Sequence, residues 1–175
     1  PGGLLADHLA VGPGGVTAFT DTGTRIPGIY TFNWPSATRR RTQDQPLGRW
    51  RWVVKATDNT GQESSVERAF WLNDTLGFIK VAPRSVKLRK KSRRAVVARF
   101  KLAYSARVTP SIWTTRGTLI RRLPARNLAA GTRAIAWSGR FGNGRLVYRG
   151  TYVFKIFAQN SYGPVDLNGR FVVRR

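Results

Sequence analysis

Residues 137–163 read WSGRFGNGRLVYRGTYVFKIFAQNSYG, and their pattern is the clearest in the chain. From Gly150 onward, two sets of side chains alternate. The first set is apolar and comprises Tyr152, Phe154, Ile156 and Ala158. The second set is mixed and comprises Val153, Lys155, Phe157 and Gln159. Alternation with a period of two predicts a β-strand that buries one face. The glycines on either side of it predict turns.

The same alternation recurs along the chain, and helical periodicity is weak throughout. Strands are predicted over residues 16–19, 29–34, 48–56, 66–72, 78–81, 96–102, 108–114, 119–123, 132–137 and 170–173. The Gly-rich residues 1–15 are predicted to form a loop or linker with a short apolar piece at residues 4–11, and residues 21–23 a turn. Residues 125–130 suit either a turn of helix or a loop. The chain is therefore predicted to be all-β.

Glycines and apolar residues recur after about one hundred residues. Gly48, Trp50, Trp52, Ala56 and Gly61 match Gly150, Tyr152, Phe154, Ala158 and Gly163 at an offset of 102. Gly28 and Trp34 match Gly131 and Trp137 at 103, and Phe70 matches Phe171 at 101. This repeat predicts two tandem antiparallel immunoglobulin-like β-sandwiches, over residues 1–75 and 76–175, joined near residues 73–77. The first copy is short, so we expect one of its strands to be missing or supplied from upstream.

Charge is distributed unevenly between the two halves of this 175-residue chain, whose formal net charge is +23. Residues 1–77 hold 8 Lys+Arg against 7 Asp+Glu, whereas residues 78–175 hold 23 Lys+Arg and a single acid, Asp166. A GC-rich genome would explain the preference for arginine but not the loss of acids from one half. The asymmetry predicts a polyanionic partner for the second half.

The densest basic tract lies at the start of that half. Its seven cations are Arg84, Lys87, Arg89, Lys90, Lys91, Arg93 and Arg94. Clustered cations attract phosphates and carboxylates through a long-range field that salt weakens. The partner classes are teichoic acid, an acidic polysaccharide, nucleic acid or an anionic surface, and the alternative is a solvated loop. Since no base-reading motif is present, we expect an anionic cell-wall or extracellular polymer rather than sequence-specific nucleic-acid binding.

The six tryptophans divide into two groups. The first group occupies inward positions of predicted strands and is expected in the cores: Trp34, Trp50, Trp52 and Trp137. Trp71 and Trp113 fall on the face opposite their apolar neighbours Phe70 and Ile112. Exposed aromatic rings can stack on sugars or contact another chain, so Trp71 and Trp113 are candidate contact residues. The alternative is packing beneath a loop or against the neighbouring domain.

Catalytic and metal-binding patterns are absent from the sequence. The chain has no cysteine, which excludes disulfides and thiolate metal sites. Asp58, Asn59 and Glu63 flank a turn and offer oxygen ligands for calcium, but Asx residues favour turns on their own account. Asp7 and His8 form the only acid–histidine pair, in the Gly-rich terminal segment, and no nucleophile accompanies them. We therefore expect no enzyme, no metal and no cofactor.

Residues 96–173 resemble the immunoglobulin-like domain of the flagellar hook-capping protein and of C-terminal modules in secreted bacterial hydrolases. The matching motifs are Phe100 with Leu102, Ala106 with Val108, Gly117, Leu128 with Gly131, Trp137 with Gly139, Arg140, Asn143 and Gly144, then Gly150 to Tyr152, and Ala158 with Asn160 and Gly163. Ser138 and Phe141 stand where that family usually has aspartates, so a role of those acids in ordering the loop or binding a cation does not carry over. The first copy resembles bacterial immunoglobulin-like modules through ATDNTG at residues 56–61.

The resemblance implies a non-catalytic structural or binding module of a secreted or cell-surface bacterial protein. Charge adds the expectation that the second domain contacts an anionic polymer. Two alternatives stay open: a self-assembling subunit of a filament or surface layer, and C-terminal accessory domains of a secreted hydrolase. No apolar run is long enough to span a bilayer, and any signal peptide is expected upstream of Pro1.

Overall fold

The computed structural model describes residues 4–26, 28–31, 45–89 and 95–174. Within these ranges the chain forms thirteen β-strands, one 3-10 turn and no α-helix, which confirms the all-β prediction. The strands are β1 Leu4–Val11, β2 Thr17–Arg25, β3 Gly48–Thr57, β4 Glu63–Leu72, β5 Leu76–Ala82, β6 Ser85–Lys87, β7 Val96–Leu102, β8 Ala106–Thr114, β9 Leu119–Arg122, β10 Arg126–Leu128, β11 Gly131–Trp137, β12 Gly150–Asn160 and β13 Gly163–Arg174. The chain divides into two compact units, Pro1–Leu72 and Asn73–Arg175.

The described residues of the first unit form one antiparallel sheet in the order β2-β1-β3-β4. One face of this sheet carries Trp50, which is fully buried, and Trp52, whose ring stacks on Phe19 at 5.4 Å. The indole of Trp50 donates a hydrogen bond to the carbonyl of Pro46 at 3.0 Å. Trp50 therefore has the core position that alternation predicted. A complete sandwich in this unit remains a prediction.

Two turn and loop predictions for the first unit are wrong. Residues 4–11, predicted within a loop, form β1, which pairs with β2 on one side and β3 on the other. Residues 21–23, predicted as a turn, lie inside β2. Threonines at positions 17, 20, 22 and 24 favour extended backbone and outweigh the single Asp21 and Gly23. Pairing along both edges of β1 thus outweighs the loop-forming tendency of the glycines that flank this strand.

A strand predicted over residues 29–34 is also not observed where it can be checked. Residues 29–31 lie in no strand, and residues 32–34, including Trp34, lie outside the described residues.

The second unit is a sandwich of two sheets. The larger has the order β10-β8-β12-β13-β6 with β9 beside β8, and the smaller has the order β11-β7-β5. All strand pairs are antiparallel except β13 with β6. Trp137, Phe154 and Phe171 come from both sheets and fill the shared core. Residues 126–128, where a turn of helix was one option, form β10 because they pair with Ala106–Val108.

One hairpin in each unit, β3–β4 and β12–β13, lies at the positions of the predicted repeat. Hairpin β3–β4 pairs Trp50 with Phe70, and hairpin β12–β13 pairs Tyr152 with Phe171. Positive φ angles recur at the start of each hairpin and in each connecting turn: 138° at Gly48, 154° at Gly150, 84° at Gly61 and 103° at Gly163. Glycine adopts such angles without steric cost, so the repeated glycines mark repeated backbone geometry.

The remaining part of the repeat does not hold where it can be checked. Gly131 begins β11 with a φ of 114°, whereas Gly28 lies in a bend outside any strand. Trp137 is 1% exposed in the core of the second unit, and its predicted counterpart Trp34 lies outside the described residues. The equivalence of those two tryptophans stays a prediction.

Candidate polyanion interface

The basic tract begins where the chain crosses from the smaller sheet of the second unit to the larger one. β5 belongs to the three-stranded sheet, and β6 adds to the end of β13 in the six-stranded sheet. The carbonyl of Arg84 accepts a hydrogen bond from the Val172 amide at 2.8 Å. In the parallel pairing that follows, Lys87 is the partner of Arg174. Two basic residues distant in sequence are thereby adjacent at one sheet edge.

The cations of this edge are open to solvent. Arg84, Lys87, Arg89 and Arg174 are all exposed. The single acid of residues 78–175, Asp166, lies elsewhere, with its carboxylate 3.1 Å from the ammonium of Lys155. No carboxylate of residues 78–175 therefore neutralises the edge. The other four cations of the predicted tract, Lys90, Lys91, Arg93 and Arg94, lie outside the described residues.

A cleft of about 450 Å³ opens beside this edge, between the β13 end and the segment before β12. Arg149 and Arg174 line it together with Leu88 and Tyr148, and Tyr148 is 69% exposed. We call Arg84, Lys87, Arg89, Arg149 and Arg174 the basic edge. Sequence reasoning missed Arg149 and Arg174 because neither belongs to a charge run. The pairing of β6 with β13 places Arg174 beside the tract, and Arg149 lines the same cleft as Arg174.

The loop that carries Arg149 toward the edge is held by hydrogen bonds to its own backbone. The Trp137 indole donates to the Arg140 carbonyl at 3.0 Å, and the Val147 amide donates to the Gly139 carbonyl at 3.0 Å. Gly139 has a φ of 78°, and a Cβ there would collide with the side chain of Leu88. The loop is therefore closely packed on the residue that follows β6.

Ser138 and Phe141 occupy the loop positions where the resembling family has aspartates. The Phe141 amide donates to the Arg145 carbonyl at 2.9 Å, and its ring lies edge-on to Tyr148 at 5.8 Å. Ordering of this loop thus uses backbone bonds and aromatic packing, with no carboxylate at either position.

The two candidate contact tryptophans differ in exposure. Trp71 lies on β4, opposite Arg49 in register, and is 45% exposed. Trp113 lies on β8 next to the fully buried Ile112 and is half-buried. Its indole donates to the Ser111 hydroxyl at 2.8 Å. Each tryptophan thus lies on the strand face opposite to that of its neighbour, Phe70 or Ile112, as alternation predicted.

The turn at Asp58 uses its carboxylate for local hydrogen bonds. One oxygen of Asp58 accepts from the Thr60 hydroxyl at 2.7 Å, the Thr60 amide at 2.8 Å and the Gln62 amide at 2.9 Å. The Thr60 hydroxyl, followed by the Gln62 amide, holds the pKa of Asp58 below its ordinary value. Asn59 is exposed, and Glu63 begins β4. In the described ranges, no three His, Asp or Glu side chains group as metal ligands. The Asx-turn explains this cluster.

His8 has a different setting from the predicted terminal loop. It is 6% exposed on β1, and its Nδ1 lies 3.6 Å from the carboxylate of Asp21. Arg25 also pairs with that carboxylate. Asp7, the neighbour in sequence, lies on the opposite face of the strand, because successive strand residues alternate. The histidine is thus a buried residue of the first sheet, beside the Asp21–Arg25 ion pair.

Comparison with known proteins gives structural neighbours only. No family model and no curated protein matches the chain. FlgD from P. aeruginosa is 22% identical, with a TM-score of 0.42 over 58% of this chain and 76% of that one. A tetra-tandem repeat from the extending region of a large adhesion protein is 17% identical, with a TM-score of 0.40 over 98% of this chain and 42% of that one. PorZ, a surface component of the type-IX secretion system of Porphyromonas gingivalis, is 18% identical, with a TM-score of 0.40 over 70% of this chain and 15% of that one.

With identities no higher than 22% and TM-scores no higher than 0.42, the likeness gives no argument about function. The function of this chain has to be derived from its own residues. In the described residues, no helix has the length and hydrophobicity needed to cross a membrane.

Proposed function

We propose that this chain is a non-catalytic binding module of a secreted or cell-surface bacterial protein, and that its second unit holds an anionic polymer through the basic edge. The observation that carries the proposal is the pairing of β6 with β13, which sets Lys87 beside Arg174. Arg149 joins them across a cleft that a polymer chain can enter. Clustered cations on an edge without acids produce a field that concentrates anionic ligands near it.

Salt dependence of binding is the direct test. Binding of fluorescently labelled polyphosphate to the full chain is measured by anisotropy as NaCl rises from about 50 to about 300 mM. Each phosphate contact releases counterions, so the affinity should fall steeply with salt. Affinity that is indifferent to salt would contradict an electrostatic interface.

Matched charge variants separate the basic edge from the overall charge of the unit. The triple variant with Lys87→Gln, Arg149→Gln and Arg174→Gln should lower the affinity at least about tenfold. The slope of log affinity against log salt concentration should become shallower by the equivalent of about three phosphate contacts. The control triple removes three equally exposed cations elsewhere on the unit, namely Arg99→Gln, Arg116→Gln and Arg126→Gln. If the two triples weaken binding equally, only net charge matters and the basic edge is not the site.

A second candidate function is self-association through β4, the outer strand of the described sheet of the first unit. Residues 63–69 are all exposed along that strand. An open edge offers main-chain donors and acceptors to another chain, although Glu63, Glu67 and Arg68 discourage such pairing. Light scattering at increasing concentration should show oligomers that Ser65→Pro abolishes. A monomer at every concentration would rule this candidate out.

A further inference from the structure

A second cleft, on the outer face of the larger sheet of the second unit, combines aromatic rings with charges. It measures about 380 Å³ and is lined by Thr109, Ser111, Trp113, Arg122, Lys155 and Phe157. We call it the Trp113 cleft. It shares no residue with the basic edge.

Strand register brings these side chains together. β12 pairs with β8 so that Lys155 is opposite Ser111 and Phe157 is opposite Thr109. On the other side of β8, Arg122 of β9 is also opposite Ser111. Because directly paired residues share a face, Ser111 lies between Arg122 and Lys155, with Trp113 and Phe157 in the rows on either side.

The indole of Trp113 lies against the sheet rather than projecting from it. Its indole nitrogen donates to the hydroxyl of Ser111, two residues earlier on the same face, at 2.8 Å. Ser111 is only 7% exposed although it lies on the outer face, so it is covered by its neighbours. The indole therefore lies along the strand over Ser111, in the direction of the row that carries Phe157. Trp113 is half-buried and lines the cleft.

The charged side chains around the Trp113 cleft carry both signs. Arg122 is exposed, and Lys155 lies 3.1 Å from Asp166, with each of those two side chains about 40% exposed. Asp166 is the only acid of residues 78–175, and it is the register partner of Phe157. A carboxylate at this place finds no hydrogen-bond donor on a polyphosphate chain. It accepts hydrogen bonds from a ligand rich in hydroxyl groups.

We propose that the Trp113 cleft binds a segment of an acidic polysaccharide built from uronic acid units. The apolar C–H faces of the pyranose rings stack on Trp113 and Phe157. A ring carboxylate pairs with Arg122, and ring hydroxyls donate to Asp166. The inference deepens the proposed function, since it names the class of polymer and adds a second contact on the same unit.

A short oligogalacturonate is the probe, and its affinity for the full chain is measured by isothermal titration calorimetry. Trp113→Ala should weaken binding about tenfold, and Trp113→Phe should retain part of it because an aromatic face remains. Trp71→Ala removes the other exposed tryptophan and should leave the affinity unchanged. Polyphosphate binding should be the same in wild type and Trp113→Ala, because the basic edge is intact.

An indole N–H resonance assigned with Trp113→Phe provides a readout on the wild-type protein, and it should shift when oligogalacturonate is added. The proposal is overturned if oligogalacturonate does not bind, if Trp113→Ala leaves its affinity unchanged, or if that resonance does not move. It is also overturned if short oligothymidylate binds more tightly with the same dependence on Trp113, since the ligand would then be single-stranded nucleic acid. Failure of polyphosphate binding together with Trp113-dependent oligogalacturonate binding would refute the basic edge alone.

Discussion

At the residue scale, Gly169 marks a close approach of the two sheets of the second unit. It is the register partner of Phe154 on the inner face of the larger sheet. A Cβ built there would lie 2.5 Å from the Val81 Cγ2 atom of the smaller sheet. Gly169→Ala should therefore lower the free energy of unfolding by about 1–3 kcal/mol, as overpacking of a core does.

Gly142→Ala is the matched control for Gly169→Ala. A Cβ at Gly142 would meet nothing within 4 Å. Urea denaturation of both variants measures how the free energy of unfolding changes when the same methyl group is added at a packed position and at an open one. If Gly169→Ala is as mild as Gly142→Ala, the sheets are not packed as closely as described.

Tyr152 gives a pH dependence that can be traced to one side chain. Burial raises the pKa of Tyr152 above its ordinary value of 10.0, and its hydroxyl donates to the Tyr148 carbonyl at 2.9 Å. A pKa that is higher in the folded than in the unfolded state stabilises the fold fully below the unfolded pKa. This contribution is lost as pH rises through the folded pKa. The free energy of unfolding should therefore fall in alkaline solution above about pH 10.

Tyr152→Phe should remove this part of the alkaline loss. At neutral pH it should cost about 0.5–1.5 kcal/mol, because the hydrogen bond to Tyr148 is gone. Tyr148→Phe is the comparison, since it also removes one tyrosine hydroxyl but from a side chain that is 69% exposed. Chemical denaturation across a pH series measures both variants. Equal alkaline slopes in wild type and Tyr152→Phe would refute the assignment.

At the element scale, the turn between β12 and β13 is tied to the start of β5 by an amide network. The Asn160 side chain donates to the hydroxyl of Thr75 at 2.8 Å and accepts from the Tyr162 amide at 3.0 Å. Asn73 donates to the Gly163 carbonyl at 2.7 Å. Thr75 is fully buried, so loss of its partner leaves a polar group without compensation.

Asn160→Ala should accordingly lower the free energy of unfolding by about 1–3 kcal/mol. Asn168→Ala, an exposed asparagine on β13, is the control and should change it by less than about 0.5 kcal/mol. Thermal unfolding followed by circular dichroism separates the two outcomes. If Asn160→Ala leaves the free energy of unfolding unchanged, the turn itself and not this network holds the hairpin in place.

Elements with a local signature could be predicted from the sequence. Strand β12 shows strict alternation, and its inward residues Phe154 and Ile156 are fully buried. Strand β1 has no such signature, because its flanking glycines suggest a loop, and only pairing with β2 and β3 makes it extended. The error at residues 21–23 has the same origin, since tertiary pairing outweighs local turn propensity there.

The candidate site could be predicted only in part. The density of cations at Arg84, Lys87 and Arg89 is visible in the sequence. Their neighbour Arg174 is not, because the parallel pairing of β6 with β13 joins segments that are remote in the chain. The outward position of Trp113 follows from alternation. Its place in one cleft with Arg122 and Lys155 depends on the register of three strands.

At the scale of the whole molecule, the second unit has a buried core of its own. Among the described residues, the members of this cluster all come from residues 76–173. A domain with its own core can fold alone. Residues 73–175 expressed by themselves should therefore unfold in a single cooperative transition, which calorimetry can check. A noncooperative or molten product would show that the first unit contributes to the fold.

The same unit should be stabilised by salt, because its charge is almost entirely of one sign. Residues 78–175 carry 23 Lys+Arg and one acid, so folding brings like charges together at a cost that salt screens. The melting temperature of residues 73–175 should rise by several degrees between about 50 and about 500 mM NaCl. Arg99→Gln, Arg116→Gln and Arg126→Gln together should raise the melting temperature at low salt and reduce its dependence on salt. A melting temperature that falls as NaCl rises would mean that specific ion pairs, such as Lys155 with Asp166, outweigh the general repulsion.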